Sequence, residues 1–211
     1  MKYTLIVDAM RHGQKDGEGN NADLTDRGQR QVEAAIRTHV KRGDSYDLYL
    51  HSGVIRTRRA LKVARATLGH NIVEDPRSQE CEAFGFLWLQ QEVSTLPPFA
   101  EAEKKIETEL GNRVTVRDWL ERWWPAVAMR GRLLEYLDGL AYRFNAIPKH
   151  SRCNEYEYRV LAASHGPLVV LGAPLYFHAD INYGDMVRYT YTIENGIARK
   201  EVEILRCPHI E

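Results

Sequence analysis

The stretch Tyr3-Thr4-Leu5-Ile6-Val7-Asp8-Ala9-Met10-Arg11-His12-Gly13 decides how the chain is read. Its opening residues are aromatic, β-branched and apolar, the composition of a buried strand. The run ends on a guanidinium and an imidazole side by side, and Gly13 frees the backbone behind them. Such a pair suits holding a phosphoryl group against a nitrogen nucleophile. Three letters recur by chance, so the reading leans on two partners downstream. One is Arg56 in His51-Ser52-Gly53-Val54-Ile55-Arg56; the other is His165 in Leu161-Ala162-Ala163-Ser164-His165-Gly166. Each follows another apolar, strand-like segment.

Outward from this stretch, strands and helices alternate. Leu24-Thr25-Asp26-Arg27-Gly28 predicts a helix entrance, with the Thr25 hydroxyl as cap and Asp26 at the positive end of the helix dipole. Val32, Ala35, Ile36 and Val40 recur at helical spacing to about residue 41, where Gly43-Asp44 breaks the pattern. A second strand is predicted over 47–50, a helix over about 54–68 closed by Gly69, and a short third strand over 71–74.

Residues from about 86 to 150 differ. Spans 100–110 and 115–142 read as helices, punctuated by Pro97-Pro98 and Gly111-Asn112, with Pro125 starting or kinking one piece. Trp119, Trp123 and Trp124 cluster here, as core aromatics or as a pocket wall. A strand over 158–163 then feeds His165, and Pro167 opens a predicted helix to about residue 177. Spans 186–193 and 198–205 are rich in β-formers around Glu194-Asn195-Gly196-Ile197, a hairpin signal. Together these features predict an α/β three-layer sandwich: a mostly parallel central sheet with helices on both faces, a mainly helical insertion at about 86–150, and a C-terminal hairpin at or near an edge. Residues 1–211 are expected to form a single domain.

Composition narrows the function classes. A chain of 211 residues that is 44% hydrophobic and 27% charged is ordinary for a globular protein. Lys plus Arg and Asp plus Glu are equal at 29 each, without the basic excess expected of a nucleic-acid binder. No apolar stretch approaches the roughly 18–20 residues that cross a bilayer, and the start shows no signal-peptide pattern. Cys81, Cys153 and Cys207 match neither a disulfide framework nor zinc spacing, so they read as unpaired thiols. The expectation is a cytoplasmic enzyme, with no membrane or nucleic-acid partner.

In open α/β sheets, ligands sit beyond the carboxyl ends of the strands, where helix amino termini offer N–H donors to anions. Arg11-His12, Ser52 to Arg56 and Ser164-His165 all fall at such ends, so they are expected to converge. Two arginines supply planar donor forks for phosphate oxygens. A neutral imidazole there can attack phosphorus and form a covalent phosphohistidine. The partner imidazole and the guanidiniums stabilise the equatorial charge. An acid is then needed to protonate the leaving oxygen, and a base to activate water.

Arg11-His12-Gly13, Leu24-Thr25-Asp26-Arg27-Gly28-Gln29, Ser52-Gly53-Val54-Ile55-Arg56-Thr57-Arg58 and Val160-Leu161-Ala162-Ala163-Ser164-His165-Gly166 together resemble the histidine phosphatase superfamily, also called phosphoglycerate-mutase-like. The resemblance spans residues 4 to about 72 and 158 to 172. It implies His12 as the phosphorylated nucleophile, with Arg11, Arg56 and His165 completing the phosphate pocket and no metal or cofactor. Gly13, Asn20, Asn21, His51 and Gly166 are expected to border phosphate or substrate. Arg58 and Arg59 read as surface charges on the second helix.

The family's proton donor is commonly a Glu four residues before a Gly. Here that offset from Gly85 falls on Cys81, between Glu80 and Glu82. Glu82 is the first choice as donor and Glu80 the second. Gln14 stands where family members often carry Glu, and Gly166 rather than Asp follows His165. The expected activity is hydrolysis of a phosphomonoester on a small molecule or a phosphoprotein. The alternatives are mutase-type transfer, with Arg130 and Arg132 as default ligands for a second acid group, protein phosphohistidine phosphatase activity, or non-catalytic phospholigand binding.

Overall fold

A computed structural model describes residues 2–17, 19, 21–41, 44–70, 78–85, 99–111, 114–146, 155–195 and 197–210. The elements, in chain order, are β1 (Lys2–Arg11), α1 (Asp26–His39), β2 (Leu48–His51), α2 (Ile55–Thr67), β3 (Ser78–Glu80), a 3-10 turn (Glu82–Phe84), α3 (Phe99–Leu110), α4 (Val116–Arg122), α5 (Pro125–Ala146), β4 (Glu155–Ser164), a second 3-10 turn (Pro167–Val169), β5 (Met186–Glu194) and β6 (Ile197–Leu205). The expected strand at 71–74 and Cys153 lie outside the described residues.

Among the described residues the sheet has six strands in the order β3-β2-β4-β1-β5-β6. The pairs β3–β2, β2–β4 and β4–β1 are parallel; β1–β5 and β5–β6 are antiparallel. The expected mostly parallel sheet with its hairpin at one edge is therefore what the chain forms. The hairpin pairs Glu194 with Ile197, and Asn195 sits at φ 52°, the left-handed conformation a two-residue Asn-Gly turn demands.

The alternation of β1 divides the core. Tyr3, Leu5, Val7 and Ala9 face a cluster built with Trp119, Met129, Leu133 and Leu137 of α4 and α5. Met10 faces the other side, where Val32, Ala35 and Ile36 of α1 pack with Leu61 and Ala64 of α2. Asp8, also on β1, is fully buried; Arg188 grips it through Nε at 2.6 Å and Nη2 at 3.0 Å, and the Tyr46 hydroxyl donates to it at 2.7 Å. A buried carboxylate needs such partners.

Local chemistry sets the helix ends. Thr25 caps α1 by accepting from Gly28 N–H at 2.9 Å. The span 115–142, expected to be helical with Pro125 starting or kinking one piece, forms two helices, and Pro125 opens the second, where its missing N–H costs nothing. The chain is extended at Trp123 (φ −137°, ψ 90°) and α5 starts at Pro125. Trp119 and Trp123 are core; Trp124 is 55% exposed. The expected helix over 167–177 is instead a single 3-10 turn followed by turns. Leu168 to Ala173 are all buried, leaving no polar face for a surface helix, and Pro174 denies the helix a donor. Arg130 binds the Leu171 and Ala173 carbonyls and Lys200 the Gly172 carbonyl, so side chains satisfy what a helix would have satisfied.

Candidate active site

The parallel strands β1, β2 and β4 end together, and their carboxyl ends deliver Arg11-His12, Ser52-Gly53 and Ser164-His165 to one place. The His12 and His165 ring centroids are 5.2 Å apart at 74°. Arg56, on the first turn of α2, reaches both: Nε donates to His12 Nε2 at 3.1 Å and Nη2 donates to His165 Nδ1 at 3.4 Å. Its Nη1 donates to the Gly19 carbonyl at 3.0 Å. The chain thus brings together all four residues expected to make the pocket: Arg11, His12, Arg56 and His165.

Hydrogen-bond polarity fixes the tautomers. A carbonyl can only accept, so His12 Nδ1, 2.6 Å from the Gly13 carbonyl, carries the proton. His12 Nε2 then bears the lone pair, as the guanidinium donating to it requires. His165 Nδ1 likewise accepts from Arg56, so its Nε2 donates to Ser52 Oγ at 2.8 Å. Thr57 spends its proton on the Val54 carbonyl at 2.9 Å, so Ser52 donates to Thr57 Oγ1 at 3.1 Å. The relay His165 to Ser52 to Thr57 to Val54 is satisfied at every step. Burial, aided by Arg56 and Arg11, lowers the His12 pKa to about 3; burial, His12 and Arg56 hold His165 well below 6.5. Both imidazoles are neutral at pH 7.

Arg11 is half-buried. Its Nη1 donates to the Ile181 carbonyl, and its Cζ lies 4.3 Å from the Tyr183 ring centroid. Gly13 is needed for a reason other than backbone freedom. Its φ is not left-handed, but a Cβ there would come 2.0 Å from Gly28 O. Gly166 is buried and caps the second 3-10 turn. Asn21 is an exposed turn residue, and Asn20 lies outside the described residues. His51 Nδ1 accepts from Gly53 N–H at 3.1 Å; burial lowers its pKa, with Glu80 opposing. Arg58 is exposed and binds the Gly53 carbonyl at 2.9 Å, while Arg59 pairs with Asp23 at 3.5 Å.

Residues 80–85 are stitched to the pocket floor. Cys81 N–H donates to the His51 carbonyl at 2.8 Å and Ser164 Oγ to the Phe84 carbonyl. A Cβ on Gly85 would lie 3.1 Å from Ser52 O, and one on Gly53 would lie 2.4 Å from Glu80 Oε1. The Glu80 carboxylate therefore rests against the residue beside Ser52. Glu80 and Glu82 are both exposed and line one cavity with Arg132, but only the Glu82 carboxylate pairs with Arg132 Nη2, at 2.7 Å. Burial raises the Cys81 thiol, which stays neutral.

Sequence reasoning did not single out Tyr183 or Thr57. Thr57 had a local signal, lying one position beyond Arg56. Tyr183 had none, because only the closed fold carries the turn before β5 to Arg11. Among the described residues no group of three or more His, Cys, Asp or Glu could hold a metal ion, and no helix is long and apolar enough to cross a membrane.

No protein-family model and no curated protein matches the sequence. Solved structures do match its shape. Mycobacterial hydrolase 2 aligns over 100% of this chain and 94% of its own, at 14% identity and a TM-score of 0.61. A mycobacterial glucosyl-3-phosphoglycerate phosphatase aligns over 96% and 98%, at 13% identity and 0.56. Phosphoglycerate mutase from Bacillus anthracis str. Sterne aligns over 95% and 92%, at 10% identity and 0.54. The fold is the one these proteins share.

Proposed function

Taking the histidine phosphatase fold as the premise, we propose that the chain is a metal-independent phosphatase that hydrolyses phosphomonoesters through a phosphohistidine on His12. The observation that carries this reading is the contact of Arg56 Nε with His12 Nε2 at 3.1 Å. It marks a lone pair on a neutral, buried imidazole, facing the donor fork that would bind the anion it attacks.

In the first step His12 Nε2 forms a bond to phosphorus and the phosphorus–oxygen bond breaks. The departing oxygen takes a proton from a carboxylic acid. In the second step water attacks phosphorus, its proton returns to the carboxylate, and the nitrogen–phosphorus bond breaks to release phosphate. Arg11 and Arg56 spread their N–H donors over the equatorial oxygens. His165 orients Arg56 through Nδ1, and Ser52 fixes the His165 ring. We assign the proton donor to Glu80 in preference to Glu82. The Glu80 carboxylate lies against Gly53, whereas protonating Glu82 would cost its ion pair with Arg132.

The substrate would be a phosphorylated small molecule or a phosphoprotein. Mutase activity is disfavoured, since Arg130 is engaged with the Leu171 and Ala173 carbonyls and Arg132 with Glu82. The test is turnover of p-nitrophenyl phosphate, with and without a chelator. Chelator-resistant activity that disappears in His12→Ala supports the reading; absence of turnover in the wild-type protein refutes it. Glu80→Gln should lower the rate by about 10²–10⁴-fold if it is the acid, and an equal loss in Glu82→Gln alone would reassign the role.

A further inference from the structure

One aromatic ring touches the nucleophile and a guanidinium of the pocket together. The Tyr183 centroid lies 4.3 Å from Arg11 Cζ and 5.8 Å from the His12 ring, tilted 43° to it. Tyr183 is half-buried, with its ring beside both His12 and Arg11. The turn that carries it is tied to Arg11 three ways. Arg11 N–H donates to the Asp185 carbonyl at 2.9 Å, Gly184 N–H donates to the Arg11 carbonyl at 3.1 Å, and Arg11 Nη1 donates to the Ile181 carbonyl.

The same turn is braced from behind. Buried Asp185 accepts from Asn182 N–H at 2.9 Å, Cys207 N–H at 2.7 Å and Arg206 Nη1 at 2.7 Å. Gly184 takes φ +84°, and a Cβ there would meet Cys207 Sγ at 2.9 Å. Residues 181–185 are therefore held rigidly on one side and hold Arg11 on the other.

A guanidinium presents all its N–H donors in one plane, so the tilt of that plane decides which oxygens it can reach. Stacking on an aromatic face fixes the tilt and leaves the donor edge open to an anion. We propose that Tyr183 is a positioning residue of the phosphoryl pocket: its ring sets the plane of the Arg11 guanidinium beside His12, and its hydroxyl is dispensable. The rate consequence rests on the phosphatase reading; the anion-binding consequence does not.

The experiment measures binding of orthovanadate and inorganic phosphate by calorimetry, and kcat and KM for p-nitrophenyl phosphate. The proteins are wild type, Tyr183→Phe, Tyr183→Leu, Arg11→Lys and the Arg11→Lys/Tyr183→Leu double variant. Tyr183→Phe should bind within about twofold of wild type, while Tyr183→Leu should bind roughly three- to tenfold more weakly. Lysine has no planar face to stack, so Tyr183→Leu should add little further loss in the Arg11→Lys background. Should Tyr183→Leu fail to fold, Tyr183→Met keeps an apolar side chain without the ring and carries the same expectation. Equal losses in the Phe and Leu variants, no loss in Leu, or additive losses with Arg11→Lys would each overturn the proposal. A wild-type protein that binds vanadate without turning over substrate would remove the phosphatase reading and leave this comparison intact.

Discussion

Replacing Gly13 by alanine should damage stability and activity together, and the size follows from one contact. The new Cβ would lie 2.0 Å from Gly28 O, 2.5 Å from its carbonyl carbon and 2.7 Å from its Cα. Ordinary carbon–oxygen contact begins near 3.3 Å, so the two backbones must part by about 1.3 Å. Neither side yields easily. Gly28 sits in the first turn of α1 with its N–H on Thr25 Oγ1, and Thr25 N–H in turn donates to the Gln14 carbonyl at 2.9 Å. Overpacking of this kind costs about 1–3 kcal/mol, and each hydrogen bond lost adds about 1 kcal/mol. For a chain of this length that lowers Tm by roughly 5–15 °C. Gly13 O also accepts from His12 Nδ1, so a shift of about 1 Å misplaces the nucleophile and should lower kcat/KM about 10²-fold. Thermal melting and p-nitrophenyl phosphate kinetics on the purified variant are the assay. A Gly13→Ala protein within 2 °C and threefold of wild type, measured against error bars of about that size, would refute the close-contact argument.

Three further outcomes are expected. Both pocket imidazoles stay neutral well below pH 6.5 in the folded chain but protonate near it when unfolded. The unfolded state thus binds more protons, and stability should fall as pH drops from 6.5 towards 3. The slope is up to roughly 1.4 kcal/mol per imidazole per pH unit; a wild-type protein no more acid-sensitive in melting than His12→Gln contradicts this. Ser52→Ala leaves the His165 Nε2–H without its acceptor in a buried site, and denaturant unfolding should show a loss of about 1–3 kcal/mol; a neutral effect would break the relay. Asp8→Ala removes the bidentate partner of Arg188, leaving it the more exposed Glu203 carboxylate at 3.8 Å and the His39 carbonyl at 3.4 Å, and removes the acceptor of the Tyr46 hydroxyl; it should cost about 3 kcal/mol in the same assay; a loss below about 1 kcal/mol would mean that the pair is solvated.

Much of this architecture was legible because its signals are local. The Thr25 cap, the stripe of Val32, Ala35 and Ile36, and the Asn195 turn each declare themselves within a few residues. The convergence of Arg11, His12, Arg56 and His165 was legible because parallel strands end on one side of a sheet. Features built by long-range contact were not. Gly13 reads as a flexible position, yet Gly28, brought in by α1, is what excludes a side chain. The span 167–177 reads as a helix, yet N–H groups of Arg130 and Lys200 donate to the carbonyls of residues 171–173 in place of the helical bonds. Tyr183 meets Arg11 only through the turn locked by Asp185. The carboxylates at 80 and 82 differ in surroundings that no sequence offset encodes: one lies against Gly53, the other on Arg132.

The central claim is that His12 Nε2 takes the phosphoryl group. Its most direct test is rapid acid-free quenching of the enzyme during turnover, followed by mapping of the labelled peptide, with the stereochemistry at phosphorus read from a chiral substrate. The account predicts an acid-labile, alkali-stable phosphoryl group on residue 12 and net retention at phosphorus, since two displacements occur. Turnover with no modified histidine and net inversion would mean that water attacks directly, and would contradict it.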